Sequence, residues 1–409
     1  MTALSTSADS SLRTVVTLGS AQTLAWASTY YLPAMLAAPM ARDLGVATPT
    51  VFAAFSVALL VSGALGPAAG RAIDRHGGRP VLMATSGLFA VGLVALALAQ
   101  GPVGLFAAWL LLGVAMAAGL YEGAFATLVR LYGLGSRNPI TGITLIAGFA
   151  STVGWPLSAL LEATVGWRGA CLSWAALHLL VGLPLNARLP RVASRGAAPA
   201  APEAAAADAA DAAPAAPVVE APLRTSVLLA FVFAVTWFVS TAMAAHLPTL
   251  LQAAGATLAV AVGVGALIGP AQVAGRLVEF GLLRRLHPLW SARLATIAHP
   301  VGALALGLLG APAAAAFALL HGAGNGIMTI AKGTLPLVLF GPHGYGARQG
   351  WLMMPARLLQ GLGPLLFGIA IERWGTGALW LSGGLGLAAC AALLALRAAP
   401  PSVVAPARP

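Results

Sequence analysis

The fold is decided by Gly70-Arg71-Ala72-Ile73-Asp74-Arg75-His76-Gly77-Gly78-Arg79-Pro80, a charged stretch that joins two apolar runs, 50–73 and 81–100. Charge this dense is unusual here, because only 8% of the 409 residues are charged. Glycines let backbones pack and turn closely, and arginines hold a loop on the cytoplasmic side of a membrane. Asp74 can cap a neighbouring helix or pair with an arginine. The stretch therefore predicts a cytoplasmic loop between two membrane-spanning helices.

The composition is that of a membrane protein. Hydrophobic residues make up 59% of the chain and the mean hydropathy is +0.89, more apolar surface than a soluble domain can bury. The net charge of +11 comes from arginine-rich loops, so we expect no nucleic-acid partner. Cys171 and Cys390 lie inside apolar runs and indicate neither a metal site nor a disulfide framework. We expect no metal and no cofactor.

The apolar runs predict twelve membrane spans. An Ala- and Pro-rich segment, 190–222, follows the sixth span and predicts a disordered cytoplasmic linker. We therefore predict an N-terminal six-helix bundle over 1–189 and a C-terminal one over 223–409. The predicted spans are 14–38, 50–73, 81–100, 103–131, 139–163, 168–187, 224–251, 257–281, 290–310, 313–340, 348–372 and 376–397.

The basic residues predict the orientation. With both termini in the cytoplasm, 16 basic residues fall on the inner side, 3 on the outer side and 3 inside spans. Such a bias follows the positive-inside rule. The first apolar run is too long for the core of a signal peptide, so we expect it to be an uncleaved first span.

The two halves carry paired features in the same order. Gly66-Pro67 before Asp74 in the first half matches Gly269-Pro270 before Glu279 in the second. Tyr31-Leu32-Pro33 matches His246-Leu247-Pro248. Gly154-Trp155-Pro156-Leu157 before Glu162 matches Gly363-Pro364-Leu365 before Glu372. Parallel internal repeats of this kind are typical of some transporters.

Gly70, Asp74, Arg75, Gly77 and Arg79 match the pattern G-x-x-x-D-R-x-G-x-R. The pattern resembles the signature of the major facilitator superfamily in the loop between helices 2 and 3. The resemblance implies an all-α membrane protein of twelve helices in two pseudo-symmetric six-helix bundles. It also implies a monomeric, multi-pass secondary transporter of the bacterial inner (plasma) membrane that works by alternating access and is not an enzyme.

The motif residues form a predicted gate, which a second pair of charges extends. Arg276 and Glu279 match Arg71 and Asp74 in the repeat, so we assign them to the gate of the second half rather than to substrate binding. One family feature is missing, because Trp109 stands where helix 4 often carries an arginine before a glycine, here Gly113. A proton-relay role of that arginine is therefore not carried over.

Polar residues inside apolar spans are costly and mark solute or proton paths. The resemblance implies that helices 1, 4, 7 and 10 line a central cavity, with helix 11 beside them. Proton coupling is assigned to Glu122, His246 and His321. The predicted substrate-binding residues are Tyr30, Tyr31, Tyr121, Glu122, His246, Asn325, Lys332, Arg357 and Gln360.

Each candidate also has a structural alternative. Glu122 can be fixed in an ion pair with Lys332 or Arg357. Arg357 can bind the Asp74 loop or helix carbonyls, and Lys332 can extend to the inner membrane interface. The histidines can be hydrogen-bonded packing residues. Tyr30 and Tyr31 can be core or interface residues, and on one continuous helix they would point about 100° apart.

Lys332 and Arg357 outnumber Glu122, which favours an anionic solute. The first hypothesis is therefore a transporter of a small organic, carboxylate-like anion, coupled to protons. The alternative is a proton-coupled exporter of drug-like or amphipathic compounds. A membrane receptor or membrane enzyme is disfavoured, since the sequence has no G-x-S-x-G motif and no metal-ligand spacing. The expected partners are the solute, H+ and the lipid bilayer.

Overall fold

The computed structural model describes residues 2–191 and 222–396, which form helices and no strands. Most of the predicted linker, 190–222, lies outside the described residues. The α-helices are α1 (Thr2–Ser28), α2 (Leu32–Leu44), α3 (Thr48–His76), α4 (Gly78–Ala97), α5 (Gly101–Gly119), α6 (Tyr121–Tyr132), α7 (Arg137–Ala147), α8 (Ala150–Leu177), α9 (Leu183–Ala187), α10 (Leu223–Ala253), α11 (Leu258–Ala266), α12 (Ile268–Gly281), α13 (Pro288–Leu309), α14 (Ala314–Phe340), α15 (Tyr345–Trp374) and α16 (Ala378–Leu394).

The chain crosses the membrane several times. Among the described residues, 8 helical stretches are long and apolar enough to span a bilayer. Three of them contain more than one α-helix: Gly101–Ala187 with 87 residues, Ala259–Gly281 with 23 residues and Tyr345–Leu394 with 50 residues. The count of twelve spans stays a prediction.

Several spans that were expected to be continuous are divided in the structure, and two of these breaks lie beside predicted site residues. In 14–38, α1 ends at Ser28 and α2 begins at Leu32. In 103–131, Leu120 is extended (ψ −165°) and separates α5 from α6. Non-helical backbone at membrane depth needs polar partners from the protein. One such partner is Gln22, whose Nε2 donates a hydrogen bond to the carbonyl of Gly119 at 2.8 Å.

Two clusters of buried apolar side chains form the core. The first joins helices between residues 18 and 189 and includes Leu337 and Tyr345 from the second half. The second is built from residues 229–396. Trp237 on α10 packs against both clusters, so its ring lies where the two halves meet.

The halves approach most closely along α3 and α15. A methyl group added at Gly70 would overlap the carbonyl oxygen of Gly346, and one added at Gly350 would overlap the backbone of Gly66. Glycine is therefore required on both helices for this packing.

Asp74 joins the same two helices through hydrogen bonds. Its carboxylate accepts the N–H groups of Gly346 at 3.0 Å and Ala347 at 2.9 Å, so it caps the first turn of α15. Arg130 at the end of α6 donates to the carbonyl of Asp74. Gly77 links α3 to α4 with φ 85°, a conformation that favours glycine.

A second connection lies at the same end of the molecule, between α12 and α7. Arg137 Nη2 lies 2.8 Å from a carboxylate oxygen of Glu279, and Arg276 Nη1 donates to the carbonyl of Thr144 at 3.0 Å. The end that carries the Gly70–Pro80 loop is therefore closed in this structure.

Candidate functional site

The break between α5 and α6 positions the one acidic residue of the site. Glu122 lies in the first turn of α6, where the positive end of the helix dipole favours a carboxylate. Its side chain is 15% exposed. The carboxylate is therefore held between helices by the local backbone and by its partner.

That partner is Arg357 on α15. Arg357 Nη2 lies 2.8 Å from both carboxylate oxygens of Glu122. Its Nη1 donates to Gln360 Oε1 at 2.9 Å, and Gln360 Nε2 donates to the hydroxyl of Tyr30 at 3.1 Å. These contacts form a chain of four predicted site residues that crosses from one half to the other.

Lys332 on α14 is buried but has no anionic partner. Its residue exposure is 4%, so it does not extend to the membrane interface. Among the described residues, Nζ makes no ion pair and no hydrogen bond. Nζ makes a cation–π contact with Trp237, whose ring centroid lies 4.2 Å away. A buried ammonium without a carboxylate is costly, and an anionic ligand would relieve that cost.

Aromatic side chains surround these charges. In the first half, Trp26 lies 5.2 Å from Tyr30 and 4.8 Å from Tyr121 between ring centroids. Tyr30 and Tyr31 are 5.3 Å apart with rings nearly perpendicular. The expected 100° separation of these tyrosines does not hold, because α1 ends at Ser28 and neither residue is helical. We call Trp26, Tyr30, Tyr31 and Tyr121 the aromatic cluster.

Arg357 lies between this cluster and Trp237. Its Cζ is 5.9 Å from the ring centroid of Trp26 and 5.4 Å from that of Trp237. Both distances are within the range of cation–π attraction. Within the described part of the chain, the indole N–H groups of Trp26 and Trp237 are buried without acceptors. The rings are therefore positioned by packing and by the guanidinium rather than by hydrogen bonds of their own.

Arg276 on α12 adds a third buried positive charge. It is 6% exposed, and its Nη1 donates a hydrogen bond to the carbonyl of Thr144 on α7 at 3.0 Å. The nearby Glu279 is paired with Arg137 instead. Among the residues that the structure describes, the cations Arg276, Lys332 and Arg357 in this region therefore outnumber the carboxylate of Glu122.

Three predicted residues lie apart from the charged group. His246 Nε2 is 2.7 Å from the carbonyl of Pro364, which is a packing contact within the second half. Asn325 Nδ2 donates to Ser240 Oγ at 2.8 Å. His321 Nδ1 lies 3.0 Å from His299 Nδ1, beside a cavity of about 40 Å³ that Asn325 also lines.

Trp237 and His299 are absent from the sequence-based set. The repeat did not indicate Trp237, because it lies nine residues before His246-Leu247-Pro248, whereas Trp26 lies five residues before Tyr31-Leu32-Pro33. No pattern in the sequence indicated that His299 would meet His321. That pairing depends on how α13 and α14 pack.

Comparisons with known proteins agree with this architecture. A family model described as Major Facilitator Superfamily matches residues 18–331. The structure of the human organic anion transporter MFSD10 (TETRAN) superposes with a TM-score of 0.67 at 17% identity, covering 94% of this chain and 99% of that one. The MFS proton:xylose symporter XylE bound to 6-bromo-6-deoxy-D-glucose gives 0.67 at 12% identity, covering 94% and 95%.

A sequence relative has no assigned activity. The "Uncharacterized 38 kDa protein in 23S RNA operon" of Thermoproteus tenax is 34% identical over 154 residues. The match spans 37% of this chain and 40% of the length of that protein.

Proposed function

Because this chain belongs to the Major Facilitator Superfamily, we propose that it is a secondary transporter of small organic, carboxylate-like anions that is coupled to protons. The family consists of carriers rather than enzymes, and the chain is a multi-pass membrane protein that binds a small-molecule solute. The two structural neighbours support the fold alone at their low identity. The choice of solute rests on the charges of the site.

Lys332 carries the proposal. It is buried between the two halves, and no carboxylate among the described residues neutralises it. Desolvating a lone ammonium is unfavourable unless an anion accompanies it. A solute carboxylate beside Lys332 would form a charge-assisted hydrogen bond in a site of low dielectric. Arg276 and Arg357 raise the local positive potential further.

The Glu122–Arg357 pair supplies the proposed proton coupling. Protonation of Glu122 removes the ion pair and leaves Arg357 free to attract the solute carboxylate. Release of the proton restores the pair and displaces the solute. Solute and proton are thereby linked through competition for one guanidinium, without covalent chemistry. His246 and His321 are less suited to this role, because each is engaged in a contact away from the pair.

Alternating access is assigned to the two connections between the halves. The Asp74 cap of α15 and the Arg137–Glu279 pair hold one end closed. On the other side of the site, Tyr31 is half-buried. The ring centroid of Trp155 lies 6.0 Å from that of Tyr31, and Trp155 is 43% exposed. We propose that the closed end is cytoplasmic, that both termini are cytoplasmic, and that the protein acts as a monomer in the bacterial inner membrane.

The test is solute counterflow in proteoliposomes with a panel of labelled carboxylates and organic cations. Lys332→Gln should weaken carboxylate binding at least about 30-fold, because it removes one member of a buried charge pair. Arg373→Gln is the matched control, since it removes one exposed positive charge in the last turn of α15, at the end away from the Asp74 cap. If Lys332→Gln transports carboxylates normally, the anion proposal fails and the exporter of drug-like compounds becomes the better assignment.

A further inference from the structure

The tyrosines of this chain are concentrated at the site. The sequence has five tyrosines, and three of them, Tyr30, Tyr31 and Tyr121, belong to the aromatic cluster. Trp26 and Trp237 complete the surroundings from equivalent helices of the two halves. A packed core needs apolar volume but does not need flat rings at a buried charge. The concentration of rings at a buried charge therefore points to a feature of the ligand.

The rings divide into buried and accessible ones. Trp26 and Tyr121 are 4% and 8% exposed, so they are buried rings that pack against the rest of the cluster. Tyr30, Tyr31 and Trp237 keep partly exposed faces. Trp237 is also the ring that contacts Lys332 Nζ. An anion that binds Lys332 must therefore place the rest of its body beside the indole ring of Trp237, which also contacts Arg357 and, through Arg357 and Gln360, is linked to Tyr30.

Two polar side chains near the charges are already engaged in hydrogen bonds. Gln360 accepts from Arg357 and donates to Tyr30, and Gln349 donates to the backbone carbonyl of Lys332. Of their side-chain polar atoms, Gln349 Oε1 alone is buried without a partner among the described residues. A solute rich in hydroxyl groups would therefore find few free partners among these residues. An uncharged, flat body attached to the carboxylate fits the available surfaces best, because aromatic rings prefer edge-to-face or offset contacts with other rings.

We propose that the solute is an aromatic carboxylate, with its carboxylate at Lys332 and its ring against Trp237, Tyr30 and Tyr31. This inference rests on the proposed function and names the substrate class of the same site. Trp237 is then a specificity-determining residue. The indole N–H of Trp237 has no acceptor among the described residues, so no hydrogen bond fixes the ring against adjustment to the ligand.

The experiment compares benzoate with cyclohexanecarboxylate, two monoanions of similar size of which one is aromatic. Binding to the purified full chain is measured by isothermal titration calorimetry, which avoids leakage of weak acids through vesicles. Benzoate should bind about tenfold more tightly, as expected for a few ring contacts. Trp237→Leu should reduce this ratio to about one, and Trp237→Phe should keep part of it. Trp351→Leu, at a ring that is 57% exposed on α15, should leave the ratio unchanged.

The outcomes separate this inference from the proposed function. If neither carboxylate binds but other carboxylates of the counterflow panel are exchanged, the aromatic inference fails and the anion proposal stands; if no carboxylate of the panel is exchanged either, the anion transporter itself is the wrong assignment. If both bind with equal affinity, or if Trp237→Leu keeps the tenfold ratio, the aromatic inference fails while the anion proposal stands. The Phe variant guards against misfolding, since a folded protein that retains a ring should retain a preference.

Discussion

At the scale of single residues, the question is which cation holds Glu122. The sequence left two partners open, Lys332 and Arg357, because both lie inside apolar spans. The structure pairs Glu122 with Arg357, at 2.8 Å, and leaves Lys332 against Trp237. The choice could not be made from the sequence, because it depends on the depth and rotation of α14 and α15. Arg357, which is paired with Glu122, suits proton coupling, whereas Lys332, which contacts Trp237, suits solute binding.

Glu122→Gln tests the coupling. The amide cannot release a proton, so exchange of solute down its gradient should continue while accumulation driven by a pH gradient is lost. Both are measured in the same proteoliposomes. Removing one member of a buried ion pair also leaves Arg357 uncompensated, at a cost of roughly 3–5 kcal/mol. The double variant Glu122→Gln with Arg357→Gln is therefore included as a stability control. Accumulation by Glu122→Gln in response to a pH gradient would contradict the scheme.

At the scale of helices, the sequence predicted where spans lie better than where they break. Pro33 in Tyr31-Leu32-Pro33 was a signal for the break before α2, since proline is favoured in the first turn of a helix. Leu120 gave no such signal, because leucine is a good helix former and only Gly119 precedes it. Both breaks place site residues, with Tyr30 and Tyr31 at one and Tyr121 and Glu122 at the other. Their position reflects tertiary packing, which a single sequence does not display.

Gly70→Ala tests the contact of α3 with α15. The added methyl group would overlap the carbonyl of Gly346, so the helices must separate. Overpacking of this kind costs about 1–3 kcal/mol, which should shift the population of the closed state roughly 5- to 150-fold. We expect slower solute exchange and a lower melting temperature. Gly87→Ala on α4 is the matched control, because its new methyl group would meet nothing within 4 Å. Equal activity of the two variants would show that this contact has no mechanical role.

At the scale of the whole molecule, composition and internal repeats predicted the architecture. The helical membrane fold and the family are confirmed, and they follow from apolar runs and from paired motifs in the two halves. The contacts that close one end could be predicted only in part. Asp74 was expected either to cap a helix or to pair with an arginine, and it caps α15. The partners of Arg276 and Glu279 on α7 could not be read from the repeat, because they belong to the other half.

The orientation in the membrane is predicted from the 22 basic residues, of which 16 fall on the predicted inner side. Two single cysteines test it, in a background with Cys171→Ala and Cys390→Ala. Leu134→Cys lies in the loop between α6 and α7, where the residue is 69% exposed, and Ala253→Cys ends α10 at the opposite side. An impermeant maleimide added to intact cells should label position 253 and should reach position 134 only in inverted vesicles. Because Arg130, beside position 134, contacts Asp74, the same result would place the closed end in the cytoplasm. Labelling of position 134 from outside would reverse both the orientation and the side to which the site opens.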